Sequence, residues 1–337
     1  MADLAVTQPS RREKRMPAAN RAHVSDGRWF TVLVAIVYVG VSLLANGGTW
    51  SHGITHTVQI GGADVPEEIW YLAQTPWALL HGHNPLANNF LNVPAGINLM
   101  DNTTMPLVGA LGTPITLIFG PIATFNIMLN LALASSAMTF YLMARRFIRW
   151  RPAAFVGGLL YGFSPFVAAE GGAHLFLIVG FIPPLVILFL DRFWRTKSDP
   201  PWLTGILVGA CFVAQIYISA EVFASMAVMT AIAAVLWVIY WLLRRPAVDV
   251  SQVARMGACA VVVFLLGSGF GIWTALDGPE HINGPAQSAT AIAGLSSDPV
   301  GFFVPTEVQR LTFGHAALGD SLVAQRDANW HIVVDAP

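Results

Sequence analysis

Charge is what this sequence has least of. Asp, Glu, Lys and Arg make up 11% of its 337 residues, 55% are hydrophobic and the mean hydropathy is +0.60. A soluble domain carries roughly 25% charged residues, so a water-soluble globule is excluded. Cysteine is scarce as well. Cys211 and Cys259 both sit inside apolar runs, which excludes a disulfide framework and reads them as small buried hydrophobes. No glycine-rich phosphate loop follows a strand, so a soluble nucleotide site is not expected. No stretch interleaves basic and aromatic residues as nucleic-acid binding requires, so nucleic acid is not expected as a partner. The net charge of -1 carries little meaning, because the charges are segregated along the chain.

Long apolar runs are abundant. A membrane span needs about 20 apolar residues. Seven segments meet or approach this: Trp29–Ala45, Ile122–Ala144, Ala153–Ala169, Leu175–Leu190, Leu203–Ala220, Val222–Leu243 and Arg255–Leu276. The fold class expected is all-α and integral to the membrane, a polytopic bundle of seven transmembrane helices with juxtamembrane helices on the outer face. Trp29, Trp150, Trp194, Trp202 and Trp241 stand where interfacial anchors belong. The first run has no small-residue cleavage site close behind it and is read as a retained anchor.

Basic residues give direction. All but two of the 18 Lys and Arg fall into four clusters: Arg11 to Arg28, Arg145 to Arg151, Arg192 to Lys197, and Arg244, Arg245 with Arg255. The exceptions are Arg310 and Arg326 in the tail. Positive-inside ordering places all four clusters in the cytoplasm, so the protein is expected in the cytoplasmic membrane with its N-terminus inside. Parity then decides Met105–Gly120. Were it to cross, every later basic cluster would face outward. It is therefore expected to be a juxtamembrane or re-entrant helix, bounded and interrupted by Pro106, Pro114 and Pro121, the alternative being a true crossing with a compensating extra span elsewhere. The organisation that follows is a disordered basic cytoplasmic segment 1–28, a membrane domain 29–276 with a long first outer loop 46–104 and the helix 105–120, and an outward segment 277–337.

The three outward loops contain no Lys or Arg, but many acids and histidines. Carboxylates without basic partners suit a divalent metal such as Mg²⁺ or Mn²⁺, a proton transfer or a cationic ligand. Asp64 can be read as a helix N-cap, with Pro66 in the first turn and Glu67 closing a capping box. The helix after it sets Ile69, Ala73, Trp77 and Leu80 on one face, which suits a membrane surface. Glu170 and His174 flank a two-glycine turn. Glu221 stands at a tight hairpin between two apolar runs, where an ionisable group is a functional candidate. His81-Gly82-His83 lacks the spacing of a strong metal site.

Several stretches together resemble a known family. The first loop reads GGADVPEEIWYLAQTPWALLHGHNPLANNFLNVPAGINL. It is followed by MPLVGALGTPITLIFGPIATFNIMLNLALASSAMTFYLMARR, then AAFVGGLLYGFSPFVAAEGGAHLFL, then QIYISAEVF. In order and content these are similar to the GT-C type membrane glycosyltransferases, which use polyprenyl-phosphate sugars. The match spans residues 28–305. The resemblance implies that Asp64 is the catalytic base or metal-linked acid. It implies that Glu170, His174, Glu221 and the tail Arg310 hold substrate, and that Asp64, Glu221 and His174 are the candidate metal ligands. It implies a polyprenyl-phosphate sugar donor, a glycan or lipid acceptor and a bilayer setting. Asp64-x-x-Glu67 departs from the family's adjacent acidic pair. Relatives also continue further than Pro337, so a truncated or short form is expected. Two other classes stand beside the enzyme: a non-catalytic scaffold of envelope assembly, and a lipid or solute transporter. The near absence of charge from span centres weighs against the transporter.

Overall fold

The computed structural model describes residues 19–56, 64–171, 174–197, 199–245, 248–284 and 316–330, together with 288 and 304. Among them, helix dominates. The helices are α1 (Ala19–Ala45), α2 (Gly47–His52), α3 (Val65–His81), α4 (Pro106–Phe119), α5 (Pro121–Phe147), α6 (Arg151–Gly162) and α7 (Pro165–Glu170). Then come α8 (Leu175–Ile178), α9 (Ile182–Asp191), α10 (Pro201–Ile218), α11 (Ala220–Arg244), α12 (Val250–Asp277) and, as α13, Ala316–Trp330. A two-residue antiparallel pair, β1 (Ala87–Asn88) with β2 (Ile97–Asn98), interrupts the long first loop. Proline opens helices α3 to α7, α9 and α10 at one of their first two positions, where the missing N–H would have had no partner anyway.

Seven segments are long and apolar enough to cross a membrane: Arg28–Ala45, Pro121–Phe147, Arg151–Glu170, Leu175–Arg195, Pro201–Ile218, Ala220–Arg244 and Val250–Asp277. They coincide with the runs expected from sequence. The protein is therefore an all-α, multi-pass membrane protein. Pro106–Phe119 falls short of a span. At about 1.5 Å per residue its 14 residues cover too little of a hydrocarbon core roughly 30 Å thick. Gly120, at φ 86° and ψ 167°, breaks it from α5, a backbone conformation that glycine adopts without strain.

Two spans are bent in ways the sequence did not announce. The third is α6 plus α7, parted before Pro165, with Ser164 capping α7 by accepting the Val167 N–H. The fourth is α8 plus α9. At their break Gly180 donates to Ser136 Oγ at 2.9 Å and accepts from Tyr161 Oη at 2.7 Å. Backbone groups freed inside a membrane must find such partners.

Small residues set the closest helix pair. Gly205 and Gly209 of α10 lie against Met256, Cys259 and Ala260 of α12, while Gly267 and Gly271 of α12 lie against Val213 and Tyr217. Contacts that advance together along both chains mean that α10 and α12 run parallel. Helix α11 between them must return the chain to the starting side.

The bundle has two chemically different ends. At one, Asp191 is nearly inaccessible and accepts from Arg146 Nε at 2.7 Å and from Arg195 at 3.2 Å. Arg192 binds Asp199 at 2.8 Å and Arg151 lies over the Phe30 ring. At the other end, α3 and α4 form an antiparallel hairpin. Gly109 packs on Thr75, and Thr116 Oγ1 donates to the Leu72 carbonyl at 3.2 Å. This hairpin caps the bundle. Thr116 bonds Thr124 in the first turn of α5 at 2.8 Å, Leu175 at the start of α8 donates to Glu68 at 3.0 Å, and Asn98 donates to the Thr274 carbonyl near the end of α12 at 2.6 Å.

Candidate functional site

The hairpin cap brings distant acids to one histidine. Asp64 immediately precedes α3, Glu170 closes α7 and His174 immediately precedes α8. His174 Nε2 lies 2.8 Å from Asp64 Oδ2, and its Nδ1 lies 2.6 Å from Glu170 Oε2. Each carboxylate can only accept, so the ring that serves both carries two protons. Partial burial works against that charge. The bonds to Asp64 and Glu170, and the negative charge behind them, outweigh it and raise the His174 pKa above its ordinary value. Exposure rises along the chain of contacts: the side chains of Glu170 and His174 are 28% and 29% exposed, that of Asp64 52%. The array thus leads outward to a carboxylate open to solvent.

Asp64 stands at the N-cap position of α3, but its side chain does not cap the helix. Its backbone is helical, at φ -86° and ψ -19°, and its side chain makes no capping bond. The expected capping box is overturned. The Asp64 carboxylate is turned to His174, and Glu67 accepts from Tyr71 Oη and, at 2.9 Å, from Asn102 Nδ2. Asn102 also donates to Tyr71 Oη at 3.0 Å. Burial first, then the Glu67 carboxylate, push the Tyr71 phenol up.

Glu68 lies beneath this surface, 2% exposed. Its backbone N–H donates to the Asp64 carbonyl at 2.9 Å and its Oε2 accepts from the Leu175 N–H at 3.0 Å, while Oε1 has no hydrogen-bond partner. Burial pushes its pKa up to about 8. The Leu175 N–H and His174 oppose the rise, and Asp64 and Glu67 add to it. At neutral pH it is mostly an uncharged acid. The sequence ranked neither Glu68 nor Tyr71 nor Asn102 as site residues. A signal for Glu68 did exist, since it stands four residues after Asp64, on the same helical face.

The remaining candidates are placed differently. Glu221 is exposed in the first turn of α11, at the same end of the bundle, with Ser219 capping that helix. Among the described residues no hydrogen bond or ion pair joins Glu221 to the His174 array. Arg310 lies outside the described residues. No group of three His, Cys, Asp or Glu that could hold a metal occurs among the described residues. Both ring nitrogens of His174 are engaged by carboxylates, so the donors as arranged do not fit a metal through Asp64, Glu221 and His174.

Beside the array opens an apolar cavity of about 400 Å³ between α1, α5 and the α6–α7 pair. Ala45, Phe125, Leu133, Phe163 and Val167 line it, together with Asn46 and with Gly171, the neighbour of Glu170. A hydrocarbon chain suits that lining. A comparison with protein families, curated proteins and solved structures finds no match to this chain.

Proposed function

We propose that this chain is a GT-C type glycosyltransferase that moves a sugar from a polyprenyl-phosphate donor to a glycan or lipid acceptor. The basic end of the bundle then faces the cytoplasm, and the Asp64–His174–Glu170 array faces the outer side of the cytoplasmic membrane. That array is the observation that carries the reading. An exposed carboxylate is held by an imidazolium, which a second carboxylate holds in turn, and an apolar cavity adjoins it.

Each group has a role in this scheme. The isoprenoid occupies the cavity. Asp64 accepts the proton of an acceptor hydroxyl, a task that needs hydrogen-bond reach and a free oxygen. The acceptor oxygen bonds to the anomeric carbon as the bond from that carbon to the phosphate oxygen breaks, and the phosphate leaves with the electron pair. His174 supplies the positive charge that the outer loops lack in Lys and Arg. As Asp64 is neutralised by the incoming proton, its claim on the His174 Nε2–H weakens and that donor becomes available to the leaving phosphate. Glu170 fixes the ring and its protonation. No step is routed through a metal, because the donor set does not fit one.

The test is transfer from radiolabelled polyprenyl-phosphate sugars to membrane acceptors, using the purified chain in vesicles. Asp64→Ala and His174→Ala are expected to lower the rate at least about 100-fold. Full activity in Asp64→Ala sinks the site assignment. Absence of transfer from every such donor sinks the activity itself.

A further inference from the structure

Between Glu68 and Asp101 the chain carries no Asp, Glu, Lys or Arg. The structure folds this uncharged stretch into one edge of the α3–α4 cap. The Trp77 ring lies 4.8 Å from Phe90, edge to face, and 4.8 Å from the His83 imidazole, stacked upon it. Asn88 Oδ1 accepts from the N–H of Phe90 at 2.6 Å and of Leu91 at 3.3 Å. These contacts draw the turn around residue 90 alongside the last turn of α3. The result is a projecting tip on which Leu79, Leu80, Phe90, Leu91 and Val93 are all exposed, Leu80 to 59%, Phe90 to 60% and Val93 to 72%. The face of α3 that is buried through Val65, Glu68, Leu72 and Thr75 continues to Leu79, which is exposed together with Leu80 in the last turn of the helix.

We infer that this tip, from Leu79 to Val93, is seated in the headgroup and upper acyl layer of the bilayer leaflet that surrounds the capped end of the bundle. Three observations select lipid as the occupant. The cap sits at the ends of the membrane-spanning helices, touching α5, α8 and α12 at their termini, which is the level of the interface. The polar side chains of the tip are His81, His83 and asparagines, backed by the Trp77 ring, chemistry that suits the wet edge of a bilayer, where aromatic rings concentrate. The acids bounding the stretch are engaged by protein: Glu68 is buried against α8, and Asp101 accepts from the Ile282 N–H beside His281. Seated this way, the tip tethers one end of α3 to the leaflet and fixes the height of Asp64 at its other end. The inference rests on the membrane-spanning bundle and holds whether or not the array transfers a sugar.

Site-directed spin labelling reads the occupant directly. Leu80→Cys, Phe90→Cys and Val93→Cys are made singly, with Cys211 and Cys259 replaced by Ala, labelled and reconstituted in phosphatidylcholine vesicles. Power saturation then compares collisions with oxygen, which concentrates in lipid, against a water-soluble nickel chelate. Greater accessibility to oxygen than to the chelate at all three sites is the expected result. Greater accessibility to the chelate places the tip in water and overturns the inference. Low accessibility to both means that protein covers the tip, a second copy included, and overturns it as well. The three sites are independent, so a variant that fails to reconstitute leaves the other two to decide.

Discussion

One turn of helix separates Asp64 from Glu68, and the two carboxyls meet opposite surroundings. Asp64 reaches solvent and an imidazolium; Glu68 is buried with one oxygen unpartnered. A buried acid whose pKa rises from 4.5 to about 8 binds its proton more tightly folded than unfolded. Its contribution to stability is therefore complete below pH 4.5 and is lost as pH climbs through about 8. The raised pKa of His174 acts in the same sense, its contribution fading as pH rises through the folded value. Glu68→Gln keeps an acceptor for the Leu175 N–H and cannot ionise. The expected outcome is a flatter decline of Tm with pH across this window than in the wild type, with His174's share still present. Melting curves at a series of pH values in detergent or nanodiscs check it, and parallel slopes in the two proteins would discard the buried-acid account. The spacing of four residues puts Glu68 on the Asp64 face, but neither its burial nor the His174 contact was legible in the sequence. Asp64-Val-Pro-Glu reads locally as a capping box, and only the approach of α8, more than a hundred residues later, turns Asp64 outward and seals Glu68 in.

At the scale of elements, glycines decide which helices can touch. A side chain at Gly209 would bring its Cβ to 2.6 Å from the Ala260 carbonyl, backbone against backbone, whereas Gly269 has nothing within 4 Å. Close approach through small residues is how helices associate where lipid removes the hydrophobic drive. Gly209→Leu is expected to destabilise the bundle by about 1–3 kcal/mol, the range for overpacking, lowering Tm in reconstituted protein; Gly269→Ala is expected to leave it unchanged or slightly raised. Equal Tm for Gly209→Leu and the wild type would mean that the α10–α12 contact contributes nothing. Spans of this kind announce themselves, because an apolar run of sufficient length has few other places to go. The breaks within α6–α7 and α8–α9 do not. Pro165 and Pro183 hint at them, but the partners that satisfy the freed backbone of the α8–α9 break, Ser136 and Tyr161, come from elsewhere in the chain.

For the whole molecule the decisive feature is that α4 falls short of a span. With α4 excluded, α1 and the six later spans alternate so that the turns carrying Arg145 to Arg151, Arg192 to Lys197 and Arg244–Arg245 share one end of the bundle. Asp64, Glu170, His174 and Glu221 then share the other. The fold agrees with that count through contacts that parity did not use: Arg146 with Asp191 at one end, Asp64 with His174 at the other, and α10 running parallel to α12. The direct test is a pair of reporter insertions, one in the outer loop at Asn89 and one at the Gly120 corner between α4 and α5, each read by a membrane-impermeant protease or thiol reagent in intact cells. Both insertions are expected on the same, extracytoplasmic side. An insertion at Arg149 is expected on the cytoplasmic side. If Asn89 and Gly120 report opposite sides, α4 crosses, the three basic turns face outward, and the positive-inside assignment of the active face fails. If all three insertions report the reverse sides, the bundle stands but its orientation inverts. The His174 array would then face cytoplasmic substrates, and a lipid-linked donor on the outer leaflet would be out of its reach.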